Sequence, residues 1–180
     1  FLSNAATFWT AARTNYIEGS PGSVLGLDGV GLTAGVKAYR QRKSPLVTGA
    51  ETTSQMTLGG RPTKLLVPPE LEAIADALYV ARNLNAVKAS DANIHAGKYR
   101  VIVATELSDS AFTGNSATAW YLFGDVLKPV VTSFLNGQRS PTVESADADF
   151  NTLGIQFRGY HDFGCSQSEY LAGIKSKGAA

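Results

Sequence analysis

Residues 118–125, TAWYLFGD, restrict the possible folds more than any other stretch of the chain. In an extended strand successive side chains point to opposite faces, so Trp120 and Leu122 share one face while Tyr121 and Phe123 share the other. Large apolar groups on both faces need cover on both. Such a strand either lies at the centre of a sheet or has one face closed by a neighbouring subunit.

A chain of 180 residues with 44% hydrophobic content is long enough to bury that strand in one domain or one compact two-lobed unit. Lys and Arg number 16 against 15 Asp and Glu, a formal charge of +1, so no strong field would gather a polyanion. The single cysteine, Cys165, rules out an internal disulfide framework and a four-thiolate zinc site, and fits assembly inside a cell. No run approaches the roughly 18 apolar residues that read as a membrane-crossing helix. The sequence starts at Phe1 with no charged region leading into an apolar run, which predicts no signal peptide and a longer precursor.

The glycines between residues 18 and 35, in EGSPGSVLGLDGVGLTAG, read as a loop. A helix follows, with Leu32, Val36 and Tyr39 on one face, Lys37, Arg40, Gln41 and Arg42 on the other, and Pro45 beyond its end. Ser44–Thr63 reads as a long surface loop. TKLLVPPELEAIADALYVARN combines a strand at Lys64–Val67 with a helix that Pro69 starts and Glu70 and Glu72 favour near its positive end. Its apolar face is Leu71, Ile74, Ala75 and Leu78, with Arg82 near the far end.

YRVIVATEL (99–107) is a further strand, separated from 118–125 by a polar loop. PVVTSFL reads as a strand entering a hairpin at Asn136-Gly137, with TVE on the return. Residues 150–163, with Leu153, Ile155, Phe157 and Phe163 alternating with polar neighbours, predict one long half-buried strand. Tyr170–Ile174 predicts a short closing strand. The pattern is of α+β class.

Reactive groups are few. His95, in SDANIHAGKY, reads as a solvated loop histidine. His161 and Cys165 could form a thiolate pair, but four strand residues separate them by roughly 13 Å, too far for a hydrogen bond. Two histidines and one cysteine at this spacing make no metal site. GLDGVG lacks both the dinucleotide spacing and a phosphate-loop ending. AYRQRK reads as a solvated basic face with no stacking platform for nucleic acid. No catalytic, cofactor-binding or metal residue is assigned, and no cofactor is expected.

Five segments in order, LLVPPELE (65–72), YRVIVATEL (99–107), AWYLFGD (119–125), LNGQRSPTVE (135–144) and GIQFRGYHDFGC (154–165), resemble the major capsid proteins of tailed bacteriophages. The nearest likeness is to the Mu-like head subunit and to the group with a prohead protease fused upstream. The first segment, FLSNAATFWTAARTN, and the loop AFTGNSA depart from the family pattern, and Cys165 stands where a small residue is more usual.

The resemblance implies a Hong Kong 97-like fold without its N-terminal arm, extended loop and spine helix. Residues 22–125 with 167–180 would form the axial lobe, 126–166 the peripheral hairpin and long strand, and 1–21 a connection from an upstream region. It implies a structural, non-enzymatic shell subunit in the virion, assembled in the bacterial host cytoplasm as pentamers and hexamers. Its partners would be copies of itself and a scaffolding or protease segment of the same precursor, with no membrane and no sequence-specific nucleic acid. No residue matches the lysine that crosslinks some relatives. Arg139, beside the turn, and Arg158, on the polar face of the long strand, are candidate interface residues, the alternative being two solvated side chains. Two other readings stay open: the shell of a bacterial nanocompartment, which has the same fold, and a small Cys/His hydrolase using Cys165 and His161. Without the upstream arm the chain alone is expected to stay monomeric or to form small rings.

Overall fold

The computed structural model describes residues 8–18, 26–44, 56–81, 92–147 and 154–178. Chain order runs β1 (Tyr16–Ile17), α1 (Gly29–Gln41), β2 (Lys64–Val67), α2 (Glu72–Val80), β3 (Arg100–Val103), β4 (Trp120–Phe123), β5 (Val130–Phe134), β6 (Thr142–Asp147), β7 (Ile155–Tyr160), β8 (Phe163–Gln167) and β9 (Gly173–Ser176). The class is mixed α+β.

Five strands form one sheet in the order β1-β9-β4-β2-β3. β2 and β3 are parallel, and α2 lies between them in the chain. β4 runs antiparallel to both β2 and β9, and β1 runs parallel to β9. β4 is thus the middle strand, as its two apolar faces require. Trp120 and Leu122 pack with Leu65, Val67 and Ile174 against Leu32 and Tyr39 of α1 and Ala75 and Leu78 of α2. Tyr121 and Phe123 face a second core made with Phe8, Trp9, Leu107 and Ala119. Helices cover one side of the sheet; the 8–17 segment and the loop after β3 cover the other.

Asn15, fully buried, ties that segment down. Its amide nitrogen donates to the carbonyls of Phe8 (2.9 Å) and Tyr170 (3.2 Å), and its side-chain oxygen accepts from Thr10 N–H (2.9 Å). Its backbone carbonyl accepts from Lys175 N–H, joining the segment to β9.

The glycine-rich stretch is helical from Gly29, a correction to the loop expected through residue 35; residues 19–25 of it lie outside the described residues. Asp28 caps α1 by accepting from Gly31 N–H at 2.6 Å. Glycine at 35 serves close packing: a Cβ there would stand 2.6 Å from the Trp120 ring. α2 follows a 3-10 turn at Pro69–Leu71, as the prolines predict. Ala75 and Leu78 are buried, but Ile74 leaves the expected face and lines an open groove. Within the expected 44–63 loop, Thr57 forms an isolated bridge with Lys43 just before it, and residues 45–55 lie outside the described residues, as does Arg82.

The C-terminal strands differ most from expectation. Asn136-Gly137 does adopt positive φ (52° and 73°), but β5 and β6 on either side of it are not paired with each other. β5 instead pairs antiparallel with β8, and β6 with β7. The outgoing and returning chains therefore run side by side as one two-stranded arm. The ladder is interrupted, at what we term the bend of the arm, where residues 135–141 on the outgoing chain stand against only His161 and Asp162 on the return. The expected long strand at 150–163 is broken there into β7 and β8; its start, 150–153, lies outside the described residues. Nor is it half-buried: every residue of β7 is exposed. The closing segment is a 3-10 turn at Tyr170–Ala172 and then β9.

Candidate interaction surfaces

The arm gives each ribbon two faces. In β6–β7 the register places Thr142, Glu144 and Ala146 beside Tyr160, Arg158 and Gln156 on one face. This face is polar and internally paired. Arg158 donates from Nε (2.7 Å) and Nη2 (2.6 Å) to Glu144 Oε2, and the Tyr160 hydroxyl donates to Oε1 at 3.4 Å. The other face carries Val143, Ser145, Phe157, Ile155 and Gly159, with the Asp147 position in register with Ile155 at the end of the ladder. Its three large side chains are bare: Phe157 is 70% exposed, Val143 67% and Ile155 64%.

In β5–β8 one face joins Val130, Thr132 and Phe134 to Gln167, Cys165 and Phe163. His161 stacks on Phe134, with ring centroids 5.7 Å apart and planes 19° from parallel, and lies 5.2 Å from the Phe163 ring. The Arg139 guanidinium sits 5.9 Å from the Phe134 centroid. Arg139 therefore belongs to the aromatic bend of the arm, and Arg158 to the polar face beyond it.

The bend does not bring the Cys165 thiol onto His161 as a hydrogen-bonded pair. Cys165 Sγ lies 3.4 Å from Thr132 Oγ1 and is not bonded to His161, whose Nε2 makes no hydrogen bond. Among the described residues no cluster of three or more His, Cys, Asp or Glu could hold a metal, and no helix is long and apolar enough to cross a membrane.

His95 is a correction: it is 4% exposed rather than solvated. Nε2 lies 2.8 Å from Thr33 Oγ1 and Nδ1 lies 3.4 Å from the Tyr99 hydroxyl. Thr33 donates its own proton to Gly29 O at 2.7 Å, so its oxygen accepts from His95 Nε2–H. With the ring neutral, Nδ1 is then the acceptor for the Tyr99 hydroxyl. Burial holds His95 below its ordinary 6.5 and so favours that neutral ring, with the Gly29 carbonyl opposing the shift and Lys98 adding to it. Burial also raises Tyr99, keeping its hydroxyl protonated.

Arg42 is a second correction. The guanidinium expected on a solvated basic face is 2% exposed, stacked 3.5 Å over the Tyr39 ring, with Nε donating to Tyr39 O at 2.9 Å. Burial lowers its pKa. Its apolar stem and flat head let it close the end of α1 against the core.

A third surface is the groove between α1 and α2, about 1080 Å³, lined by Leu27, Val30, Ala34, Ile74, Ala77 and Ile94, with His95 at its wall. Among the described residues its polar lining is Asp28, Thr33, Lys37 and His95, and Thr33 and His95 are already bonded to each other. Of these features, the sequence reading missed Val143; the signal was the polar-apolar alternation of TVES, whose apolar position falls on the same face as Phe157. It also missed Asn15, for which no local signal exists, since its partners are at Phe8 and Tyr170.

Residues 1–176 match the model of a family described as phage capsid protein. No curated protein and no solved structure matches the chain.

Proposed function

Since this chain belongs to the phage capsid protein family, we propose that it is the major head subunit of a tailed phage, built on the Hong Kong 97 plan and closing as pentamers and hexamers around the genome. On this reading residues 22–125 and 167–180 make the axial lobe and 126–166 the peripheral one. Arg139 and Arg158 meet neighbouring subunits there.

The arm is the observation that carries the reading. A two-stranded ribbon is at best marginally stable on its own in water, and this one exposes Phe157, Val143 and Ile155 together on one face. Covering each of them in an interface would contribute about 1–2 kcal/mol, given that they are already partly screened. Contacts of that size become decisive when one subunit makes several at once in a closed shell. Arg158 keeps free donors beside Glu144 and is 77% exposed, so it can reach across to a neighbour without losing its internal partner.

Electron microscopy of particles from cells expressing the complete gene product tests the proposal. Closed icosahedral shells that package DNA are expected. Open sheets, filaments or a uniformly monomeric product would overturn it. Arg158→Ala is expected to shift the melting temperature of the single chain little, because an exposed ion pair is worth about 0–1 kcal/mol, yet to lower shell yield several-fold.

A further inference from the structure

We propose that the apolar face of the β6–β7 ribbon is a pairing site at which two copies of this chain pack face to face about a local two-fold axis parallel to the strands. This rests on the shell reading above and names one of its contacts.

The polar face of the ribbon already pairs Glu144 with Arg158 and Tyr160, whereas the large side chains of the opposite face stand exposed. That face alternates large with small across the ladder: Phe157 stands opposite Ser145, and Val143 opposite Gly159. Gly159 has open space around its Cα on the side-chain side, with nothing nearer than the Thr142 carbonyl at 3.9 Å. A two-fold along the strands lays β6 of one copy over β7 of the other. Each Phe157 then seats over the Ser145 of its partner, and each Val143 over the partner's Gly159. Knob meets hollow at both of these positions, in the aligned geometry usual for stacked sheets about 10 Å apart. The face is therefore complementary to itself over these two pairs, while the third, Asp147 with Ile155, stands at the far end of the ladder, at the rim of the contact. A second copy is the occupant that supplies this pattern, and membership of a shell-forming family supplies copies in number.

The contact is small. A lasting dimer uses about 20–30 residues a side, and this face offers only a few, so pairing is expected inside assembled shells, where other contacts hold copies in place.

The test uses Cys165→Ser as background, which removes the exposed native thiol, and adds Ser145→Cys on the apolar face or Ala146→Cys on the polar one. Shells are treated with a bis-maleimide of roughly 10 Å reach, set by the spacing of stacked sheets. Ser145→Cys is expected to give a subunit dimer in at least several-fold excess over Ala146→Cys. Equal crosslinking of both, or none at Ser145→Cys in well-formed shells, overturns the pairing while leaving the shell reading intact; failure of the parent to form shells counts against the shell reading instead. A swap adds an independent arm. Phe157→Ser and Ser145→Phe should each reduce shell yield, and the double variant Ser145→Phe/Phe157→Ser should restore it, because knob and hollow merely change strands. Normal shells from Phe157→Ser alone, or a double variant that folds as well as its parent yet does not recover, also overturns the proposal.

Discussion

At His95 a neutral ring bridges two hydroxyls, so the proton count of this one residue bears on stability. Its folded-state pKa lies below the ordinary 6.5, so below that pH the unfolded chain takes up the proton more readily than the folded one. Stability is therefore complete above about pH 7 and falls as the pH drops through 6.5 toward the lower folded value. Chemical denaturation at pH 7.5 and 5.5 should show this loss, and His95→Gln, which cannot titrate, should be less stable at pH 7.5 but flatter between the two. Gly35 sets propensity against packing. Alanine would favour the helix by about 1 kcal/mol, but its Cβ would meet the rigid Trp120 ring and Leu122 on the central strand. Overpacking of about 1–3 kcal/mol wins, so Gly35→Ala should lower the melting temperature. Asn15→Leu should cost about 2–4 kcal/mol, since the carbonyls of Phe8 and Tyr170 and the N–H of Thr10 would lose their partner in a closed space. The residues themselves explain why the sequence misled at some positions. SDANIHAGKY is polar throughout, and what buries His95 is Thr33, from 62 residues away in the chain. The Arg42 reading failed likewise because a guanidinium stacked on an aromatic ring hides its charge in a way no local pattern records.

Among the elements, β2, α2 and β4 were legible because their signals are local: a short apolar run, two prolines at a helix start, and alternating aromatics. Pairing is not local. PVVTSFLNG carries the composition of a hairpin, yet the partner of β5 is β8. The favoured turn dipeptide sits in the 3-10 turn that separates β5 from β6. Periodicity in 155–160 correctly placed Ile155 and Phe157 on one face, but alternation reports which side of a strand is apolar and not whether anything covers it. Hydrogen exchange can decide that. In the free chain the amides of β6 and β7 should exchange much faster than those of β4, which lies between two cores. In assembled shells the ribbon's protection should rise by more than tenfold, with β4 unchanged. Equal protection of the ribbon in both states would mean that the arm needs no cover.

For the whole molecule, the arm and the sheet are energetically separable. Every residue of both cores, including those packed at their margins, lies outside 126–168. Replacing 126–168 by a short Gly-Ser linker should therefore leave a chain that still unfolds cooperatively and keeps the near-ultraviolet signal of Trp9 and Trp120, but forms no shells. Loss of cooperative unfolding would show that the arm stabilises the sheet it springs from. The reason lies in the register of the central ladder. Phe123, where the chain leaves the sheet, is the direct partner of Gly173, where it comes back. The two attachment points are thus as close as the legs of a tight turn, whatever length of polypeptide loops out between them. That excursion can be lengthened, trimmed or exchanged while the two rungs at its base stay where they are, so the foundation does not depend on what is built out from it.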